Sequence, residues 1–397
     1  MNPSPPTARR AAAAAGALLL AGALGACSSE SSGSSGSAGS EAKAADLPAA
    51  PAAEQLGDAC GADVVVQLQW QPQSDMGALF SLLGPDYTVD TTTKSVTGTL
   101  VVDGASTGTK LTLRAGGPAI GFQSVPSEMY ADDSVDFGLV HSDVMIAASG
   151  DQRVVAVTPL LTHSPAMLMW DPASQGDDFD ITKLADSGAT VVVSKDQSYP
   201  AWLLSKGYVT EDQLDTGYEG TPARFVADPS IVQQGFANSE PYTYEKDTPA
   251  WDKKVDYEML KDVGYDPYAS NLTVRADKLE SSAPCLERLV PIVQRASADY
   301  VTDPDATNKV IVDVVGSDPS YSAYTIGEAT YSSDLLRSEG LIEAENGTVG
   351  GYDDARVDAF FDEVAPIIRA QGSKVPDDLA ADDLFTNRFV DTSVGMP

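Results

Sequence analysis

The stretch Val64–Phe80, VVVQLQWQPQSDMGALF, closes a β-branched run with an aromatic ring and a set of amides. Trp70 offers a flat apolar plate, and Gln71 and Gln73 offer donors and acceptors, a wall suited to a small organic molecule. Trp70 is equally explained as core. Other polar groups stand at the ends of apolar runs. His141 and Ser142 follow VDFGLV, and Ser198 and Tyr199 open a helical stretch whose N–H groups and dipole suit an anion or a carbonyl. An ordinary helix cap accounts for Ser198 equally well, and a satisfied surface residue for His141. Gly117, in Gly116-Gly117-Pro118, exposes backbone N–H or forms a plain turn. His163 stands between two apolar runs, as a ligand group or as packing. Glu240, in the stretch that runs on to Tyr242, either holds an amine or amidine or forms a structural ion pair. Lys195 is the one basic residue in these loops. Oxyanion sites need arginine, lysine or convergent N–H donors. The mixture of Trp, Tyr, His and carboxylate therefore favours a neutral or weakly cationic heterocycle.

The elements that must position these groups alternate. Val64–Trp70 reads as a strand, stopped by Pro72, and Ser74 or Asp75 can cap a helix carrying Met76, Leu79, Phe80 and Leu83. Asp86–Thr112 reads as a hairpin about a turn at Asp103–Gly108. Strands are expected at Val135–Val140, Val154–Val157, Ala166–Trp170, Thr190–Val193 and Ala223–Ala227, with more near Ile231–Phe236, Val255–Leu260 and Asn271–Ala276. Amphipathic helices are expected over Cys285–Tyr300, Asp305–Val315, Ile326–Glu339 and Asp353–Gln371. The pattern predicts an α/β fold with parallel sheets in two lobes, where ligands meet the loops beyond the strands' carboxyl ends.

Residues 1–27 read as a signal peptide: Arg9 and Arg10, then an apolar run ending Leu24-Gly25-Ala26-Cys27, a bacterial lipobox that predicts lipidation at Cys27. Residues 28–57, rich in Ser, Gly, Ala and Pro, read as a flexible tether. The 340 residues from Asp58 onward suffice for two lobes. The formal charge is −33, and loss of the signal peptide removes two arginines and no acid, giving −35. So acidic a chain is an unsuitable partner for nucleic acid. Cys60 and Cys285 are the cysteines left after Cys27, and in an oxidising compartment they are expected to pair. Two histidines and no CxxC or HxxxH spacing argue against a metal site. No cofactor is implied.

Several stretches together resemble the extracytoplasmic solute-binding proteins of ABC transporters, in the branch that binds thiamine-pyrimidine precursors, nitrate, sulfonates and taurine. They are VQLQWQPQSDMGALF, LRAGGP, VDFGLVHSDVMIAASG, VVAVTPLLTHSPAMLMW, QQGFANSEPYTYE and LAADDLFTNRFVDTSV, in this order along residues 62–397. The Asp86–Thr112 hairpin stands where that branch carries a Gly-Tyr-Tyr stretch. The resemblance implies a type II periplasmic-binding-protein-like fold. Lobe one would be 58–157 plus 246–397, and lobe two 158–245, joined by two hinge crossovers. It further implies a non-enzymatic protein that captures a small solute by hinge closure. Such a protein hands the solute to a permease and ATPase while the N-terminal lipid holds it at the membrane. Trp70, Gln73, Gly117, His141, Ser142, His163, Ser198, Tyr199, Glu240 and Tyr242 would line the cleft. Two other classes remain. A hydrolase would need a Ser–His–Asp set, and G-x-S-x-G is absent; a surface sensor would use the same two lobes without transport.

Overall fold

The computed structural model describes residues 47–396 except 177, 196 and 219. The expected signal peptide, Cys27 and the tether up to residue 46 lie outside the described residues. The described end of that tether is not loose. Ser106 donates its N–H to Pro48 O, Ala50 donates to Ser106 O at 2.8 Å, and Leu56 is fully buried. Its apolar residues, Ala50 and Leu56, find an open edge of the first sheet's core.

Seven strands make the first sheet: β1 (Asp63–Gln67), β2 (Thr88–Asp90), β3 (Ser95–Val102), β4 (Ala105–Arg114), β5 (Phe137–Val140), β6 (Val154–Leu161) and a late strand, Ala269–Arg275. The second sheet has β7 (Ala166–Trp170), β8 (Val191–Val192), β9 (Leu214–Asp215), β10 (Val232–Phe236) and β11 (Asp256–Met259), which makes Ala269–Arg275 β12. The orders are β2-β3-β4-β1-β5-β12-β6 and β11-β7-β10-β8-β9. β1 is parallel to β4 and β5, and β8 to β9 and β10. Neither sheet is wholly parallel. The β3–β4 pair is a hairpin, whose turn is Asp103 and Gly104, both at positive φ (50° and 74°), the geometry that a two-residue hairpin loop requires. β12 re-enters antiparallel between β5 and β6 because the chain returns from the other sheet.

The chain passes between the sheets twice, through residues 162–165 and 260–268. The return comes later than the boundary expected at residue 245, because β11 pairs with β7 in the second sheet before the chain leaves it. Ala223–Ala227, expected as a strand, is a short helix that buries Phe225. The helices that matter below are α1 (Val125–Ala131), α2 (Ser142–Ala148), α3 (Tyr199–Lys206), α4 (Leu279–Thr302), α5 (Asp305–Gly316), α6 (Ile326–Ser338) and α7 (Asp354–Ala370). Among the described residues no helix is long and apolar enough to cross a membrane. One apolar cluster covers the first sheet with α4 and α5. A second joins Val140 and Met145 to Leu168, Tyr199 and Trp202, and so runs across both sheets.

Cys60 and Cys285 form a disulfide that pins the start of α4 to the segment before β1, closing a separation of 225 residues. Chain entropy alone assigns a loop of that length a contribution of about 5.4 kcal/mol. Melting of the Cys60→Ser/Cys285→Ser variant is expected several degrees below the oxidised protein, and dithiothreitol should lower only the latter.

Candidate functional site

β1 runs directly into Gln69 and Trp70, and these two residues meet the return of the chain into β12. Gln69 Nε2 donates to Ser270 Oγ at 2.7 Å and to Asp75 Oδ2 at 3.3 Å. Gln69 Oε1 and Asp75 Oδ1 are sealed from solvent and have no hydrogen-bond partner among the described residues. A sealed polar atom without a partner costs about 1–3 kcal/mol, so two side by side form an unmet demand for donors. Burial pushes the Asp75 carboxyl up to about 6, against the pull of its own backbone N–H.

Ser270 is fully buried and sits at φ 51°, a left-handed conformation that non-glycine residues seldom adopt. Its N–H donates to His141 Nδ1 at 3.2 Å. That bond makes Nδ1 the acceptor and places the neutral ring's proton on Nε2. Burial holds this imidazole below its ordinary value, outweighing the upward pull of Asp143. His141, held by the same Ser270 that accepts Gln69, thus supplies an N–H donor.

Trp70 lies on the backbone of Gly117: a Cβ there would come within 2.4 Å of the indole. Gly117 also holds φ 57°, so its absent side chain serves both the turn and the ring. Trp70 is 37% exposed, and Phe122, 64% exposed, stands 6.0 Å from it with the rings tilted by 51°. Phe122 is at φ 60°, an outlier for so bulky a residue that costs about 1–2 kcal/mol. The arrangement has two acceptors, one imidazole N–H and two open aromatic rings. It can hydrogen-bond and stack a planar molecule carrying both donors and an acceptor.

The other expected residues stand elsewhere. Gln73 precedes the turn Ser74–Met76 and makes no side-chain cap. Neither Ser74 nor Asp75 caps a helix there: Ser74 is buried against Tyr324 and Asn308, and Asp75 faces Gln69. Gln71 is spent on both backbone groups of Ser322. Ser142 Oγ donates to Tyr268 O at 2.8 Å and opens α2. Beside it, Asp143 accepts Tyr265 OH, and Tyr265 meets Tyr199 edge-on at 6.2 Å. Tyr199 OH donates to Gln234 Oε1 at 3.2 Å, while Ser198 is buried at the head of α3 without a side-chain cap bond.

His163 stands where both links between the sheets meet. Its Nδ1 lies 2.8 Å from Asp266, and Nε2 3.3 Å from Glu343, while Arg356 reaches Asp266 at 3.0 Å. Burial would lower this imidazole, but Asp266 and Glu343 outweigh it and raise it. The Glu240 carboxylate accepts Phe236 N–H at 2.7 Å and lies 3.5 Å from the Tyr218 hydroxyl, with no salt bridge among the described residues. Burial pushes it up to about 7. Tyr242 packs against Tyr331 of α6 at 5.7 Å. The same helix binds the segment after β10. Its buried Glu328 accepts Ser239 Oγ at 2.8 Å, and its Ser332 Oγ accepts Asn238 Nδ2 at 3.1 Å.

Trp70, Gly117 and His141 are therefore linked through Gln69, Asp75 and Ser270, whereas His163, Tyr199, Glu240 and Tyr242 belong to separate contacts. Gln69 is not singled out in the sequence, although glutamines recur with a period of two at 67, 69, 71 and 73. Nothing in the sequence singles out Ser270 or Phe122.

No family model and no curated protein matches this chain. Solved structures match its fold. The periplasmic aliphatic sulphonate binding protein SsuA from Escherichia coli is 12% identical, with 81% of this chain and 91% of that one covered at a TM-score of 0.51. The periplasmic sulfonate-binding protein SsuA of a putative sulfonate ABC transporter from Methylobacillus flagellatus KT gives 12%, 82%, 92% and 0.50 in the same order. The periplasmic nitrate-binding protein NrtA from Synechocystis PCC 6803 gives 9%, 82%, 86% and 0.51. This chain has the periplasmic-binding-protein fold. At such identities the likeness carries the fold and no ligand.

The raised Glu240 carboxyl makes a testable demand. The folded chain binds this proton more tightly than the unfolded one, so the associated stability is present below about 4.5 and is lost as pH rises through about 7. The melting temperature is expected to fall between pH 5 and 8, and Glu240→Gln should flatten that fall, as read by differential scanning calorimetry.

Proposed function

We propose that the protein is the solute-capturing component of an ABC importer, carried at the outer face of the membrane by a lipid on Cys27, and that its solute is a pyrimidine-like heterocycle. The fold supports the first part: two α/β lobes linked by two crossovers suit closure on a solute. The observation that carries the solute class is the pair of sealed, unpartnered acceptors, Gln69 Oε1 and Asp75 Oδ1, with His141 tied to Gln69 through Ser270. An aminopyrimidine presents N–H donors to the carboxylate and amide and a ring acceptor to the imidazole. Trp70 would stack on its face, with Phe122 beside it at the mouth. No lysine or arginine is among these groups. A sulfonate or nitrate, the cargo named for the solved neighbours, is met by donors and cations rather than by carboxylate oxygen. The oxyanion reading rests on those neighbours and is the second reading.

The purified protein should be melted against cytosine, uracil, purines, alkyl sulfonates, nitrate, amino acids and polyamines. A compound that binds only the folded state at a hundredfold excess over its Kd adds about 2.7 kcal/mol of stability. A rise in melting temperature is expected with the aminopyrimidine, at least tenfold weaker binding in Trp70→Ala, and a similar loss in Gln69→Leu. A rise with sulfonate or nitrate alone would keep capture and replace the solute class.

Lipidation is read separately, from the mass of the mature protein expressed in a bacterium. The diacylglyceryl mass is expected to vanish, and the protein to leave the membrane fraction, in Cys27→Ala.

A further inference from the structure

The second sheet holds a cavity that the inter-sheet site does not use. Successive residues of β10 point to opposite faces. Gln234 meets Tyr199 on one face, and Gln233 meets Tyr244 on the other, donating Nε2 to its hydroxyl at 2.9 Å. Gln233 is 1% exposed, and its Oε1 has no hydrogen-bond partner among the described residues. It lines a cavity of about 180 Å³ together with Val192, Tyr218, Ala223 and Arg224. An apolar cavity of roughly 150 Å³ already accepts a benzene ring. The wall is part apolar (Val192, Ala223) and part polar, and its one cation among the described residues, Arg224, is held by Asp215 in an ion pair. An anionic occupant would find no counter-charge to spare among the described lining residues, whereas a ring with an N–H would satisfy Gln233 Oε1.

We propose that this cavity is a second binding site, on the face of the second sheet opposite Tyr199, for a neutral single-ring heterocycle that carries an N–H donor. Val192 and Ala223 supply the apolar walls, Gln233 Oε1 accepts the N–H, and the Tyr218 hydroxyl stands at the polar side. The site does not depend on capture between the sheets.

The test titrates the whole protein with 2-pyridone, a neutral lactam ring, followed by ligand-observed NMR and calorimetry. Two variants address the cavity. Gln233→Leu removes the acceptor at similar volume. Ala223→Leu fills the space from an exposed rim position and leaves the sheet untouched. Saturable binding is expected in the parent, weakened at least tenfold in both variants and unchanged in Trp70→Ala. Cooperative melting of each variant shows that it is folded. Binding that survives both substitutions, binding lost in Trp70→Ala, or no saturable binding to the folded parent (a cavity that holds water only) would each overturn the proposal. None of these outcomes bears on the aminopyrimidine response, whose loss in Trp70→Ala reports on the inter-sheet site.

Discussion

The return of the chain into the first sheet at Ser270 and Asn271 is the constraint on which the other contacts depend. Both side chains are fully buried. Asn271 Nδ2 donates to Val140 O at 2.8 Å and Tyr268 O at 3.2 Å, and its Oδ1 accepts the Tyr352 hydroxyl at 3.0 Å. Ser270 takes Gln69 on its hydroxyl and gives its N–H to His141. Three segments far apart in sequence are thereby fixed to these two residues at the start of β12: the loop after β1, the end of β5 with the head of α2, and the approach to α7. Such a network is strong when every group is paired and costly wherever one is not. The unpaired groups are at its edge, on Gln69 and Asp75, which is where a ligand would complete it.

The same edge explains why the left-handed backbone at Ser270 and Phe122 is tolerated. Backbone held in a sparsely populated region persists only where its surroundings over-determine it. At Ser270 the surroundings are the network just described. At Phe122 they are the short turn Gly117–Ile120 and the bond from Phe122 N to Gly117 O at 2.9 Å, which leave the ring standing open beside Trp70. A folded chain that keeps two large aromatic rings exposed against each other at a strained turn gains little stability from them.

Much of the architecture was legible because it rests on local rules. β-branched runs gave the strands from Val64 and Val154. The turn expected at Asp103–Gly108 is confined to Asp103-Gly104, because β4 begins at Ala105. Periodic apolar residues gave α5, α6 and α7 nearly in full but missed the first turns of α4, which starts at Leu279 rather than Cys285. The mixed sheets were not legible, because β12 lies antiparallel by virtue of where the chain returns from, and no residue of Ala269–Arg275 states that. Ala223–Ala227 misled because ARFVA suits a strand or a helix, and packing of Phe225 against Tyr244 and Trp251 chose the helix. At the site, Trp70 and His141 stood out by chemistry. Ser270 did not, since its role comes from a backbone conformation and from Gln69, 201 residues away. Glu240 looked like an ion-pair or ligand carboxylate. Among the described residues it has a backbone N–H and a tyrosine as partners and no ion pair, contacts that no spacing rule predicts.

The central proposal is that one solute is gripped at the junction of β1, α2 and β12. Amide hydrogen exchange, with and without the compound that raises the melting temperature, tests this most directly. The account predicts slowed exchange in 68–76, 141–145 and 268–272, together with the two links 162–165 and 260–268. Slowing confined to the second sheet, or stabilisation with no change in these segments, would contradict it.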